Sequence, residues 1–225
     1  TPLYSSAASD VYKRQMLLSE LFWWMHIIGI LVFMNYLYYS KHLHILLAFP
    51  NTYFANLNPD GQFDNLESVT KEVKLMMDPN ADPFAATAEP DAAPAKFGAS
   101  DVQDLNWVQL LNAYTCTECG RCTSSCPANQ TGKKLSPRKI MMDTRDRLEE
   151  VGKNIDANKG IFIPDNKTLL NDYITAEELW ACTSCNACVE ECPVSISPLS
   201  IIMDMRRYLV TVSYTHLTLP TNREV

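Results

Sequence analysis

Cys116-Thr117-Glu118-Cys119-Gly120-Arg121-Cys122-Thr123-Ser124-Ser125-Cys126-Pro127 and Cys182-Thr183-Ser184-Cys185-Asn186-Ala187-Cys188-Val189-Glu190-Glu191-Cys192-Pro193 share one spacing, C-x2-C-x2-C-x3-C-P. Together they use all 8 cysteines of the 225-residue chain. Crowding of this kind argues against a disulfide framework and for metal sites in a reducing compartment. Three closely spaced thiolates can wrap one face of an iron–sulfur cube, while the turn and the proline send the fourth to a neighbouring cluster. The spacing therefore assigns Cys116, Cys119, Cys122 and Cys192 to one 4Fe–4S cluster, and Cys182, Cys185, Cys188 and Cys126 to a second. The rival is structural zinc, which joins two separated C-x2-C pairs and needs neither the third cysteine nor the proline.

Outward from the cysteines, the pattern continues in duplicate. Leu135-Ser136-Pro137-Arg138-Lys139-Ile140-Met141-Met142-Asp143 follows the first run, and Ile196-Ser197-Pro198-Leu199-Ser200-Ile201-Ile202-Met203-Asp204 follows the second. Serine as N-cap with proline at the first helical position starts a helix in each copy. Arg145 and Arg206 fall at the same offset from those serines. Before the second run, Thr175 and Glu178 form a capping box. Before the first, a helix is expected over about 101–114, capped by Ser100 or Asp101. An internal duplication predicts two equivalent helical halves facing each other. Gly120 lets its loop approach a cluster and Arg121 adds charge there. Asn186 and Ala187 replace that pair in the second copy, so the two potentials should differ. Cysteine-saturated iron has no open position for substrate, so the expected role is one-electron relay.

The net charge of −7 offers no basic field for nucleic acid. No nucleophile–base pair is evident, and Gly120, Gly132 and Gly152 are isolated rather than part of a phosphate-binding loop, so no catalytic residue is assigned. The ends read as foreign. One short DNA string encodes Asp10-Val11-Tyr12-Lys13-Arg14-Gln15 on one strand and Val212-Ser213-Tyr214-Thr215-His216-Leu217 on the other. It resembles a transposon end used in sequencing libraries. Residues 1–15 and 212–225 are therefore expected to be scars around a truncated natural segment of about 16–211. Leaving them out moves the net charge only to −8.

Leu17–Tyr39 is apolar, with one acid and no base, and is long enough to cross a bilayer. Trp23 and Trp24 stand toward one end; Tyr36, Tyr38, Tyr39 and Lys41 stand at the other, as interfacial belts do. The alternative is a buried core helix. If one helix continues past Ser40, His26 and His44 share a face about 27 Å apart, with His42 about 160° away. Axial ligation of b-type haem by His26 and His44, less so by His42, competes with hydrogen bonding inside a bundle or exposure among headgroups. Asn65 can cap a short helix over 66–77, and the proline-rich stretch 79–99 reads as a flexible linker.

The double cysteine run within paired helices resembles the helical ferredoxin domain of heterodisulfide reductase C-type subunits and of succinate and anaerobic glycerol-3-phosphate dehydrogenase iron–sulfur subunits. The segment with His26 and Ser40-Lys41-His42-Leu43-His44 is similar to the last membrane helix of nitrate-reductase gamma-type cytochrome b subunits. The resemblance implies a mainly α protein with little or no sheet: a transmembrane helix (16–49), a membrane-proximal segment and linker (50–99), and a two-cluster helical domain (100–211). It also implies two b haems on His26 and His44, with second ligands on upstream helices of the same parent chain. Electrons would pass between a quinone pool and a soluble cysteine-rich catalytic subunit or flavoprotein, with the cluster domain on the cytoplasmic side of the inner membrane. A redox-sensing protein with no catalytic role is the alternative.

Overall fold

The computed structural model describes residues 2–40, 42–59, 62, 63, 65, 67–77 and 97–213. The expected linker over 79–96, and Lys41, lie outside them. The chain divides into two compact units, 1–46 and 47–225. Among the described residues the structure is helical; an isolated bridge joins Leu170 and Ile174 and no strand forms.

In the first unit, α1 runs unbroken over Pro2–Leu37. Its Ser9–Leu37 stretch is apolar enough to cross a membrane, and none of that stretch is buried. The helix starts well before the expected Leu17. It does not continue to His44, which corrects the one-helix expectation. Backbone turns close at Tyr39 and Ser40, and the Ser40 hydroxyl donates to Leu37 O (3.0 Å) and accepts from His42 N (3.2 Å). Serine competes in this way with the helix's own hydrogen bonds. A second helix, α2, starts afresh at Leu43 and runs to Tyr53. The calculated 27 Å separation of His26 and His44 on one face therefore does not apply. His42 instead packs beside Phe33 and His44, each at 6.4 Å between ring centroids.

In the second unit, the end of α2 packs on the cluster domain. Asn51 is buried and its Nδ2 donates to Val194 O at 2.7 Å, just beyond Cys192-Pro193. Phe54 meets Trp107 edge-on. The short helix α3 (Glu67–Met77) matches the expected one. Phe97–Ala99, expected as linker, are packed: Ala99 N donates to Asp204 O and Thr211 Oγ1 to Phe97 O. Gly98 is required there, since it sits at φ +83° and a Cβ would lie 2.4 Å from backbone atoms of Asp204 and Tyr208.

The single helix expected over 101–114 is two pieces. A 3-10 turn over Val102–Asp104 is capped by Asp101, and α4 (Trp107–Thr115) is capped by Asn106 in a box with Gln109. Both caps satisfy amides locally, which favours breaking at Leu105 over running through. Then follow α5 (Arg121–Ser124), α6 (Pro127–Gln130), α7 (Pro137–Ala157), α8 (Ala176–Trp180), α9 (Ala187–Glu190) and α10 (Pro198–Tyr208). Ser136, Ser197 and Thr175 cap their helices as the sequence predicts.

The duplication is visible as packing. Helix α7 lies against α10, and α5 against α9. The buried pairs Ile140/Ile201, Met141/Ile202 and Thr144/Met205 occupy equal offsets from the two capping serines. The halves differ beneath that shared core. Arg147, fully buried, pairs with Asp101 and Asp165 and donates to Lys167 O, whereas the second half has Tyr208 at that offset.

Candidate metal centre

Each cysteine run folds as a loop that turns twice through left-handed backbone. Glu118 and Gly120 (φ 60° and 83°) do this in the first copy, Ser184 and Asn186 (φ 56° and 60°) in the second. Asparagine is among the few side chains that tolerate this region, which explains how Asn186 can replace Gly120. Each loop leads into a one-turn helix, α5 or α9, and the fourth cysteine closes that turn through an amide bond to Thr123 O or Val189 O.

The structure brings Cys116, Cys119, Cys122 and Cys192 to one pocket, together with Gly120, Arg121, Arg138, Met141 and Pro193. Cys182, Cys185, Cys188 and Cys126 line a second, with Leu135, Asn186, Leu199 and Ile202. Cys188 borders both, so the pockets share a wall. Each pocket is thus lined by three cysteines of one run and the fourth of the other. Cys119 and Cys185 are exposed; Cys126 and Cys188 are buried.

Burial, above all other causes, pushes the thiols of Cys116, Cys122 and Cys182 up, and that of Cys188 up to about 12. Neighbouring thiolates add to the rise, while the Glu118 and Ser184 amides pull Cys116 and Cys182 back down. Such sulfurs are uncomfortable as isolated anions and suited to a positively charged metal centre that disperses their charge. Among the described residues, no three Cys, His, Asp or Glu side chains converge on a point that one metal ion could occupy. Four thiols lining each pocket suit a cube that takes one thiolate per iron.

Two arginines brace the loops. Arg145 Nη2 donates to Glu118 Oε1 at 2.7 Å. Arg206 Nε donates to Leu179 O at 2.9 Å, Nη2 to Leu179 O and Cys182 O, and Nη1 reaches Ser184 Oγ at 3.4 Å. Its guanidinium lies over the Trp180 ring at 5.1 Å. Sequence reasoning marked the equal offset of these arginines but assigned them no contact. His26, His42 and His44 belong to the first unit. His26 shares a groove on α1 with Phe22, Met25, Gly29, Ile30 and Phe33.

Comparison with known proteins agrees with this geometry. Residues 115–196 match the family model of the 4Fe-4S dicluster domain. The probable iron-sulfur-binding oxidoreductase FadF of Bacillus subtilis is 31% identical over 217 residues, covering 84% of this chain and 28% of that protein. The EtfAB:quinone oxidoreductase of Syntrophomonas wolfei is 28% identical, covering 85% of this chain and 26% of its own length. A probable membrane-anchored ferredoxin of Chromohalobacter salexigens is 37% identical over 134 residues, covering 53% of this chain and 20% of that protein. The chain therefore spans about a quarter of these relatives. Heterodisulfide reductase C subunits from Methanosarcina species are also similar. No solved structure matches the chain. The candidate span and the anchored relative both point to membrane association. The cysteine domain is thus a ferredoxin-type iron–sulfur domain, homologous to iron–sulfur oxidoreductases and to heterodisulfide reductase C subunits.

Proposed function

We propose that the chain is the electron-relay part of a membrane-bound oxidoreductase, carrying electrons between a haem b and quinone module in the membrane and a soluble catalytic partner. The observation that carries this reading is the pair of four-cysteine pockets sharing the Cys188 wall. Cys116, Cys119, Cys122 and Cys192 would hold one cluster, and Cys182, Cys185, Cys188 and Cys126 the other. Bound clusters supply one-electron acceptors with no vacant iron site. The chain's own residues hold them side by side, keep Cys126 and Cys188 from water, and leave Cys119 and Cys185 facing outward for exchange with partners. The cluster domain is placed by this reading on the cytoplasmic side. The quinone named for the Syntrophomonas relative supports the membrane end of this path.

His26 and His44 are the proposed axial ligands of two b haems, with His42 the lesser candidate. Gly29, one turn from His26, leaves open space in the same groove, as a flat macrocycle needs. A redox-sensing role is favoured only by the exposure of Cys119 and Cys185.

Crossed ligation has a direct test. Anaerobically purified protein should hold about eight iron and eight sulfide per chain. Cys126→Ser should leave about four iron, because only the second cluster is lost. Adding Cys185→Ser should remove no more, whereas adding Cys119→Ser should abolish both clusters. Uncrossed ligation reverses the two double variants, and stoichiometric zinc in colourless protein overturns the relay altogether.

A further inference from the structure

The duplicated arginines differ in what neutralises them. Arg145 forms an ion pair with Glu118 at 2.7 Å and lies 3.7 Å from Asp146. Arg206 holds the equivalent loop, but its partners are the Leu179 and Cys182 carbonyls, the Ser184 hydroxyl and the Trp180 ring. Among the described residues no carboxylate pairs with it. Glu118 and Ser184 occupy the same place in the two runs, each two residues past the first cysteine and each at positive φ. This position therefore supplies the shorter of the two ion pairs of Arg145 and none for Arg206.

We propose that Arg206 acts as an uncompensated cation that raises the reduction potential of the cluster held by Cys182, Cys185, Cys188 and Cys126. Arg145, its charge offset by Glu118 and Asp146, acts more weakly on its own cluster. This inference rests on the relay reading. Reduction adds one negative charge to a cluster, and a fixed cation against the cluster's own loop favours that charge. A tight ion pair presents a dipole, whose effect falls off faster with distance. Partial burial strengthens the difference, since water screens Arg206 less than a surface charge. Arg121 and Arg138 border the first pocket, but both are exposed, so screening weakens their pull.

The test exchanges the deciding position and leaves both arginines in place. Full-length protein would be titrated with dithionite and followed by EPR, with iron and sulfide measured on each sample. Ser184→Glu should make one cluster about tenfold harder to reduce, about 59 mV for a one-electron couple. Glu118→Ser should make the other about tenfold easier to reduce. Both positions already hold a non-glycine side chain at positive φ, so a merely structural role predicts no opposed shifts. Unmoved potentials, or shifts in the same direction, overturn the proposal while leaving the relay intact. Protein with fewer than two clusters in the wild type overturns the relay reading and this inference together. If Ser184→Glu fails to assemble its cluster, the Glu118→Ser shift alone decides.

Discussion

In the first half of the cluster domain the capping-box residue before the second cysteine run, Glu178, meets Lys139, which also holds Asp143 at 2.8 Å. In the second half the corresponding residues are Gln109 and Asp204, joined directly at 2.6 Å, while Arg207 holds the other Asp204 oxygen at 2.8 Å. Lys139 is matched by Ser200 at the same offset. Each contact ties a capping helix to the long helix of the opposite half, so the same mechanical link is made twice with different charges. Two carboxylates need a cation between them; an amide and a carboxylate do not. Duplicated backbone has thus been kept while the polar groups diverged, and the divergence comes in matched sets.

The largest expected effect comes from the network that the first half has and the second lacks. Arg147→Met leaves the Asp101 and Asp165 carboxylates without their buried partner and should cost about 3–5 kcal/mol in urea unfolding. The equivalent change Tyr208→Met should cost less, and equal losses would break the comparison. Gly98→Ala should cost about 3 kcal/mol, because a Cβ would press on backbone of Asp204 and Tyr208 at a positive φ.

Acid should strain the first half through the same arginine. Hydrogen bonding to Arg147 holds the Asp165 carboxyl down at about 2. Its folded value lies below the unfolded one, so its stabilisation is present above pH ~4 and is lost as pH falls toward 2. That contribution is on the order of 2 kcal/mol and should vanish from the Arg147→Met variant. Unfolding curves at stepped pH would check it. The smallest effect sharpens the charge-swap reading. Lys139→Met should cost about 1–2 kcal/mol by exposing Glu178 and Asp143 to each other. Adding Glu178→Gln, which copies the second half, should recover part of the loss, and a double-mutant cycle with no coupling would overturn the idea.

Much of the domain was legible because its signals are local. Serine–proline caps and the Thr175–Glu178 box each depend on a few consecutive residues, and both appear as read. The break at Ser40 was missed because hydrophobicity runs through it, while the local hydroxyl bonds that end α1 leave no trace in periodicity. The packed stretch 97–99 was missed because Gly98 reads as a linker residue until its close neighbours are known.

By itself, then, the sequence determined the iron–sulfur chemistry, the duplicated helical plan and the apolar span, since backbone and ligand geometry at short range dictate those. Only the tertiary structure decided which charges balance which. It placed Glu118 on Arg145, left Arg206 among carbonyls, and joined Gln109 to Asp204 across 95 positions of chain. Such pairings arise where the two halves pack together. Electrostatic balance depends on distance and burial in space, and neither follows from order along the chain.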